Sequence, residues 1–289
     1  MLVNSYEILS KAREGQYAVG AFNAFDHPTV EAIISAAEEK NVPVIVQVGD
    51  WLDPTAPESK SKTVKEATNL WRFIRNRAEV ATVPVCVHLD HCKSFEGCMR
   101  AIHFGASSVM IDASSLPFEE NIAITKKVVE AAHSGNISVE AEIGHVAFEG
   151  DGVGDIFTTV DEAVRFYQET QVDILAVAIG TVHGLYKKEP NLQYDRISEL
   201  KAAIPAPLVM HGGSGLSAEQ YKECITRGIS KINIATNLHL AGGNAIKEMA
   251  LAAGDKSVRY NAFLNAGANA AKQVVSEYIG YFLTEKANH

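Results

Sequence analysis

Eight short apolar runs, each separated from the next by a segment long enough for a helix, constrain this chain more than any other feature. They occupy residues 18–24 (AVGAFNA), 42–48 (VPVIVQV), 83–88 (VPVCVH), 107–112 (SSVMID), 138–144 (SVEAEIG), 173–180 (DILAVAIG), 207–211 (PLVMH) and 231–236 (KINIAT). Most are apolar on both faces, as parallel strands covered by helices should be. Residues 29–40 carry Val30, Ile33, Ile34 and Ala37 at helical spacing, and residues 121–133, 159–170 and 217–227 behave alike. Thr159 precedes Asp161 and Glu162, and Ser217 precedes Glu219, which is the signature of a capped helix start. Strand and helix alternating in this way predict a (β/α)8 TIM barrel. A doubly wound sheet is the runner-up, but it wants a glycine-rich first turn, and GAFNAFDH at 20–27 is not GxGxxG. Residues 254–286 read as extra C-terminal helices. With no linker or low-complexity tract, residues 1–289 are expected to form a single domain.

Charge and cysteine content narrow the function. The formal net charge is −9, from 35 acidic against 26 basic residues. That argues against non-specific binding to nucleic acid or an anionic membrane, which needs a basic face. A small anionic substrate held by a few local groups stays open. Cys86, Cys92, Cys98 and Cys224 form no CxxC pair, which suits a reducing compartment and predicts a cytoplasmic location. The N-terminal residues have no basic segment followed by a long apolar core, and no run approaches the roughly 18 to 20 residues of a membrane span.

In a TIM barrel the chemistry sits where the strands end. Here the runs end on Asn23, on His88-Leu89-Asp90-His91, on Asp112, on Glu140 and Glu142, on Gly180–Thr181–Val182–His183–Gly184, on His211–Gly212–Gly213–Ser214–Gly215, and on Asn233 to Thr236. Taken singly, a histidine more commonly satisfies surface or core packing. Three of them, His91, His183 and His211, at matching depths read as the ligands of a catalytic zinc with one open position. Asp90, beside His91, reads as a proton carrier; its bland alternative is the N-cap of a helix at 94–104. Asp112 and Glu142 are expected to orient the histidines or to bind metal. His88 lies inside its run and can face either way. Gly184 with Lys187, the glycine turn 212–215 and the segment 233–236 gather the backbone N–H groups that cradle phosphate, in the loops where this fold usually binds it.

A zinc ion, a phosphate cradle and a lone carboxylate suit reversible carbon–carbon cleavage of a phosphorylated ketose, with the metal stabilising an enediolate. The other barrel mechanism needs a strand-end lysine for a Schiff base, and Lys231 opens its run while Lys93 lies in a loop. Metal-dependent hydrolysis stays open, as does a non-catalytic subunit that activates another chain.

The segments 88–91 (HLDH), 176–186 (AVAIGTVHGLY), 211–215 (HGGSG) and 233–236 (NIAT) resemble the class II, zinc-dependent ketose-bisphosphate aldolases, over residues 4 to about 278. The resemblance implies zinc on His91, His183 and His211, with Glu142 near or on the metal and Asp90 carrying the proton. It implies a dihydroxyacetone-phosphate site of Gly184, Lys187, Gly212, Ser214, Asn233 and Thr236, a substrate-side role for Asn23, a sodium or potassium ion near the phosphate, and a homodimer or homotetramer. The chain departs from the family pattern in three places. Asp50 and Trp51 stand where a serine-containing turn holds the distal phosphate. Asn265 stands where a neighbouring subunit lends an arginine, Arg259 being shifted. Glu149, in the glycine-rich loop 148–152, is one place off the family's proton-transfer acid. Replacing a bidentate arginine by asparagine costs a phosphate about 2–3 kcal/mol. The expected substrate is therefore a ketose 1-phosphate with another distal group, such as 6-deoxy-6-sulfofructose 1-phosphate or a keto-acid sugar phosphate. The alternative is an ordinary fructose- or tagatose-1,6-bisphosphate aldolase.

Overall fold

A computed structural model describes residues 1–49, 64–144, 146, 157–184 and 186–284. Each of the eight runs overlaps a strand: β2 (Val19–Asn23), β3 (Val44–Gly49), β4 (Val85–Cys92), β5 (Ser108–Ile111), β6 (Ser138–Ile143), β7 (Ile174–Val177), β8 (Leu208–Met210) and β9 (Ile229–Ile234), of which β3, β4 and β9 extend beyond their runs. Each pairs in parallel with the next, and β9 returns to β2 with Ala21 opposite Asn233, so the sheet closes into a barrel without an edge. A two-residue strand, β1 (Leu2–Val3), lies on the start of β4 below the point where β5 joins it.

The cap signals hold. Thr159 and Ser217 each form a capping box, with Glu162 before α6 (Val160–Thr170) and with Gln220 before α8 (Ala218–Arg227). Asp26 does the same with Thr29 before α2 (His27–Lys40). The helices α3 (Val64–Val80), α4 (Phe95–Phe104), α5 (Phe118–His133) and α7 (Tyr194–Ala203) complete the ring between strands. Two long helices follow β9. The first, α9 (Thr236–Ala253), begins where the eighth run was expected to end, so Thr236 belongs to a helix start rather than a strand. The second, α10 (Tyr260–Phe282), is the single helix among the described residues of the stretch read as extra helices. None of the helices described is long and apolar enough to cross a membrane.

Two apolar clusters explain the layering. The larger joins outward-facing strand residues such as Phe22, Val46, Val87 and Ile232 to Ile33, Phe166 and Tyr221 of the helices. The smaller lies inside the barrel, where Val19, Ala21, Ile45, Cys86, Ile174, Ala176 and Val209 meet Ile8, Leu9 and Ala12 of α1 (Ser5–Gly15). Helix α1 thus plugs the end at which the strands begin. Above the plug, apolarity on both faces gives way. Gln47, His88, Asp90, Glu140, Glu142, Lys231 and Asn233 are buried; Lys231 of β9 bonds Glu140 of β6 and Asn233 of β9 bonds Asp90 of β4, strands that are not neighbours, which is possible only through the barrel interior. The cores of such barrels are ordinarily branched aliphatics; here the upper layers are polar.

Leu9 is fully buried in the inner cluster. Leu9→Ala is expected to lower unfolding free energy by about 3 kcal/mol, measured by denaturant titration. A loss under about 1 kcal/mol would show that α1 does not seal the barrel.

Candidate active site

The carboxylate of Asp90 sits at the centre of the polar end, 6% exposed. Asn23 Nδ2 and Gln47 Nε2 donate to its Oδ2, each at 3.1 Å, and Asn233 Nδ2 donates to its Oδ1 at 3.2 Å. Gln47 also donates to Asn23 Oδ1 at 2.7 Å, which locks the amides together. Burial works to raise the pKa of Asp90, but His91, His211, Lys231 and the bond from Asn23 outweigh it and hold the group below its usual range. The alternative role for Asp90 falls away, because the N-cap of α4 is Ser94. Gln47 is a residue that reading only the strand ends passes over. Its signal is parity, since it is polar in an apolar run and shares its face with the interior residue Ile45.

Adjacent strand residues normally face opposite sides, yet Asp90 and His91 both serve the same cluster. The register between β4 and β5 shifts between Leu89 and Cys92, and His91 adopts φ +52°. This bulge turns the His91 ring inward as well. Its ring centroid lies 5.0 Å from that of His183 and 4.5 Å from that of His211. The ligand nitrogens of the three histidines all lie within 4.8 Å of one another.

The outer nitrogens of two of these rings are taken by carboxylates. His91 Nδ1 is 2.8 Å from Asp112 Oδ2, and His211 Nε2 is 2.8 Å from Glu140 Oε1. A carboxylate accepts, so each of those nitrogens carries the proton. The inner nitrogens, His91 Nε2 and His211 Nδ1, then face one another at 2.8 Å with lone pairs inward. That arrangement needs a shared proton or a cation. Burial tends to lower the pKa of His91, but Asp90, Asp112 and Glu142 together raise it to about 9. Burial and the neighbouring His91 push His183 down to about 3. The same two causes hold His211 well below the usual histidine range. Convergent imidazoles with oriented outer nitrogens fit a divalent metal such as zinc, which would take the place of the proton that His91 otherwise holds. Glu142 lies beside them, its Oε2 3.6 Å from His211 Nδ1, and burial and Asp112 push its pKa up to about 7. His91, Asp112 and Glu142 form a second group of potential ligands sharing His91.

The predicted phosphate loops converge beside this cluster. Gly212 has φ +66°, and a Cβ there would lie 2.4 Å from the Val182 carbonyl oxygen, so the loop after β8 packs on the loop after β7 only with glycine. Tyr186 clasps the same two loops, its hydroxyl donating to the Gly212 carbonyl at 2.7 Å and accepting from the Val182 N–H at 3.4 Å. Ser214 is buried, and Gly184 has φ +100° with open space where a side chain would be. Thr181 Oγ1, Asn233 Oδ1 and Gln47 Oε1 are buried polar atoms with no hydrogen-bond partner among the described residues. Such atoms suit a polar ligand. Helix α9 starts at Thr236 without a side-chain cap, leaving a helix N-terminus suited to an anion. Lys187 is exposed near these loops, and Asn265 is exposed on α10. Asp50, Trp51 and Glu149 lie outside the described residues.

Comparison with known proteins gives a consistent picture. The sequence model of fructose-bisphosphate aldolase class-II matches residues 3–287. The chain is 41% identical over 258 residues to a probable fructose-bisphosphate aldolase of Bacillus subtilis, covering 88% of each. It is 41% identical over 251 residues to the fructose-bisphosphate aldolase of Geobacillus stearothermophilus, covering 86% of this chain and 85% of that one. Among solved structures, the YdjI aldolase of Escherichia coli K12 superposes with a TM-score of 0.83 at 33% identity, over 98% of this chain and 97% of that one.

Gly212→Ala is expected to destabilise the protein by about 2 kcal/mol or more, from its left-handed backbone and the clash with Val182. A melting temperature unchanged within error would show that the loops do not pack this closely.

Proposed function

The chain belongs to the class II fructose-bisphosphate aldolase family, and from that premise we propose that it reversibly cleaves a ketose 1,6-bisphosphate into dihydroxyacetone phosphate and an aldehyde. The observation that carries the assignment is a buried carboxylate, Asp90, held by three amides next to three convergent histidines. We assign His91, His183 and His211 as zinc ligands, with Glu142 alongside; zinc, when bound, supplies a Lewis acid for the ketose carbonyl.

Asp90 takes the proton of the hydroxyl on the far side of the breaking bond, and returns it in the condensation direction. The three amide donors aim it, and the charge of the neighbouring His91 and Lys231 favours its ionised form, so that it works as a base without a conformational search. Asn23 and Asn233 have further polar atoms for the substrate's hydroxyls. The glycine turn at Gly212 and Ser214, with Gly184, Lys187 and the α9 start at Thr236, is assigned to the phosphate of the dihydroxyacetone half, with a sodium or potassium ion beside it. Glu149 is assigned the proton transfer at the carbon of that half. A homodimer or homotetramer, and a cytoplasmic location, complete the reading.

The distal end of the substrate is the open choice. Asp50, Trp51 and Asn265 motivated a tail other than phosphate, such as a sulfonate or a carboxylate. The Bacillus subtilis and Geobacillus stearothermophilus relatives carry the name fructose-bisphosphate aldolase and match over most of their length, and that favours the plainer substrate. We therefore place fructose 1,6-bisphosphate, or its tagatose epimer, first. In a panel with 6-deoxy-6-sulfofructose 1-phosphate, a bisphosphate is expected to give the highest kcat/KM. A higher value for the sulfo sugar or a keto-acid sugar phosphate would reverse the choice.

Two measurements test the chemistry. Asp90→Ala should lower kcat by about 10³-fold while zinc binding persists. Removal of zinc with a chelator should abolish release of dihydroxyacetone phosphate, and added zinc should restore it. Full activity in the zinc-free protein, or release of inorganic phosphate alone, would sink the proposal.

A further inference from the structure

Below the candidate metal cluster, the barrel interior holds an ion pair closed off from solvent. Lys231 Nζ lies 2.7 Å from Glu140 Oε2, and both side chains are 0% exposed. Lys231 is the third residue of β9, so it does not open its strand. Full enclosure also keeps its amine away from any substrate carbonyl, which removes it as a Schiff-base candidate. Around the pair, Lys231 Nζ lies 3.5 Å from His88 Nε2, and His88 Nδ1 lies 2.8 Å from Ser108 Oγ. Ser108 in turn bonds Ser5 of α1 at 2.7 Å. On the upper side, the other Glu140 oxygen meets His211 Nε2 at 2.8 Å. A continuous buried chain thus runs from the α1 plug to the histidine cluster.

We propose that the Lys231–Glu140 pair is a positioning unit that fixes His211 with its proton on Nε2 and its Nδ1 lone pair directed at His91 and His183. The inference rests on the reading that these histidines hold zinc. Lys231 is needed because a carboxylate with no solvent exposure does not stay ionised without a fixed countercharge. Glu140 is needed because the imidazole has two equivalent choices of proton site, and only an acceptor on the outer nitrogen settles which one faces inward. His88 packs the remaining side of the pair and, by accepting from Lys231, holds the ammonium upright between β4, β6 and β9. The pair contributes nothing to substrate contact. Its effect is on the metal and on the tautomer of His211.

The test uses the full-length protein stripped of metal, in wild-type form and as Glu140→Leu, Lys231→Met and the double variant. The double variant keeps the interior neutral, so it folds even if Lys231→Met alone does not. Zinc affinity is read by competition with a chromophoric chelator, and the His211 tautomer by nitrogen-15 NMR of the imidazoles in the metal-free protein. Glu140→Leu and the double variant are expected to weaken zinc binding 10- to 100-fold. Each should also lose the Nε2–H signature of His211, with KM for the ketose phosphate unchanged within about twofold once zinc is saturating. A double variant that binds zinc as tightly as wild type, or a wild-type His211 protonated on Nδ1, would overturn the proposal. Failure of wild type to bind zinc would sink the metal reading instead, and the tautomer measurement would still decide the role of the pair.

Discussion

Asp90, Asp112, Glu140 and Glu142 are all buried at one end of the barrel, and the structure around them is organised by how that negative charge is met. Among the described residues Lys231 is the one buried lysine or arginine, and it is spent on Glu140. Lys93 reaches Asp112 at 2.5 Å from a half-exposed position. Asp90 accepts from three neutral amides, and the nearest cationic group is His91, its Nε2 4.0 Å from Asp90 Oδ1. The balance is therefore short of positive charge, and two groups register the shortage. His91 is pushed towards its protonated form by three carboxylates, and Glu142 towards its neutral form by burial and Asp112. A divalent cation among the histidine nitrogens relieves both at once. The whole protein's charge of −9 offers no help here; positive charge for an anionic substrate has to be local.

Much of this was legible from the residues. The eight strands, the two capping boxes at Thr159 and Ser217 and the histidines at strand ends follow from periodicity and from the rule that such barrels place chemistry where strands finish. The less legible features share a cause. Gln47, Glu140 and Lys231 act through space, and their partners lie 24 to 143 residues away in the chain. What local sequence does carry is parity: His88 with Asp90, Glu140 with Glu142 and Lys231 with Asn233 are spaced by two and share the inner face. Reading those pairs as one face, instead of reading only the last residue of each run, exposes the polar interior.

Parity also explains why one motif resisted that reading. Asp90 and His91 are neighbours, and in a regular strand one of them would point into the helices. The register shift in β4 and the left-handed φ of His91 resolve the conflict. A histidine pays a modest conformational cost in that region. The surroundings over-determine it: Asp112 N–H bonds the Cys92 carbonyl at 2.7 Å, Ser94 caps α4 just beyond, and Asp112 grips the His91 ring.

The polar interior sets a further condition on the fold. Side chains such as Lys231 and Glu140 cannot contribute burial of apolar surface where an ordinary barrel would place leucine or isoleucine. Stability has to come from elsewhere, and the two apolar clusters show where. The outer one surrounds the strands with helices, and the inner one is a short plug beneath the ion pair, closed by α1. The plug does more than add area. Ser5 of α1 ends the hydrogen-bonded chain through Ser108 and His88, so the helix that shuts out water from below also satisfies the lowest polar group of the interior. Water admitted there would screen the Lys231–Glu140 pair and loosen the hold of Glu140 on His211. A helix at one end of the barrel and a histidine cluster near the other are thus coupled by the enclosure of the space between them.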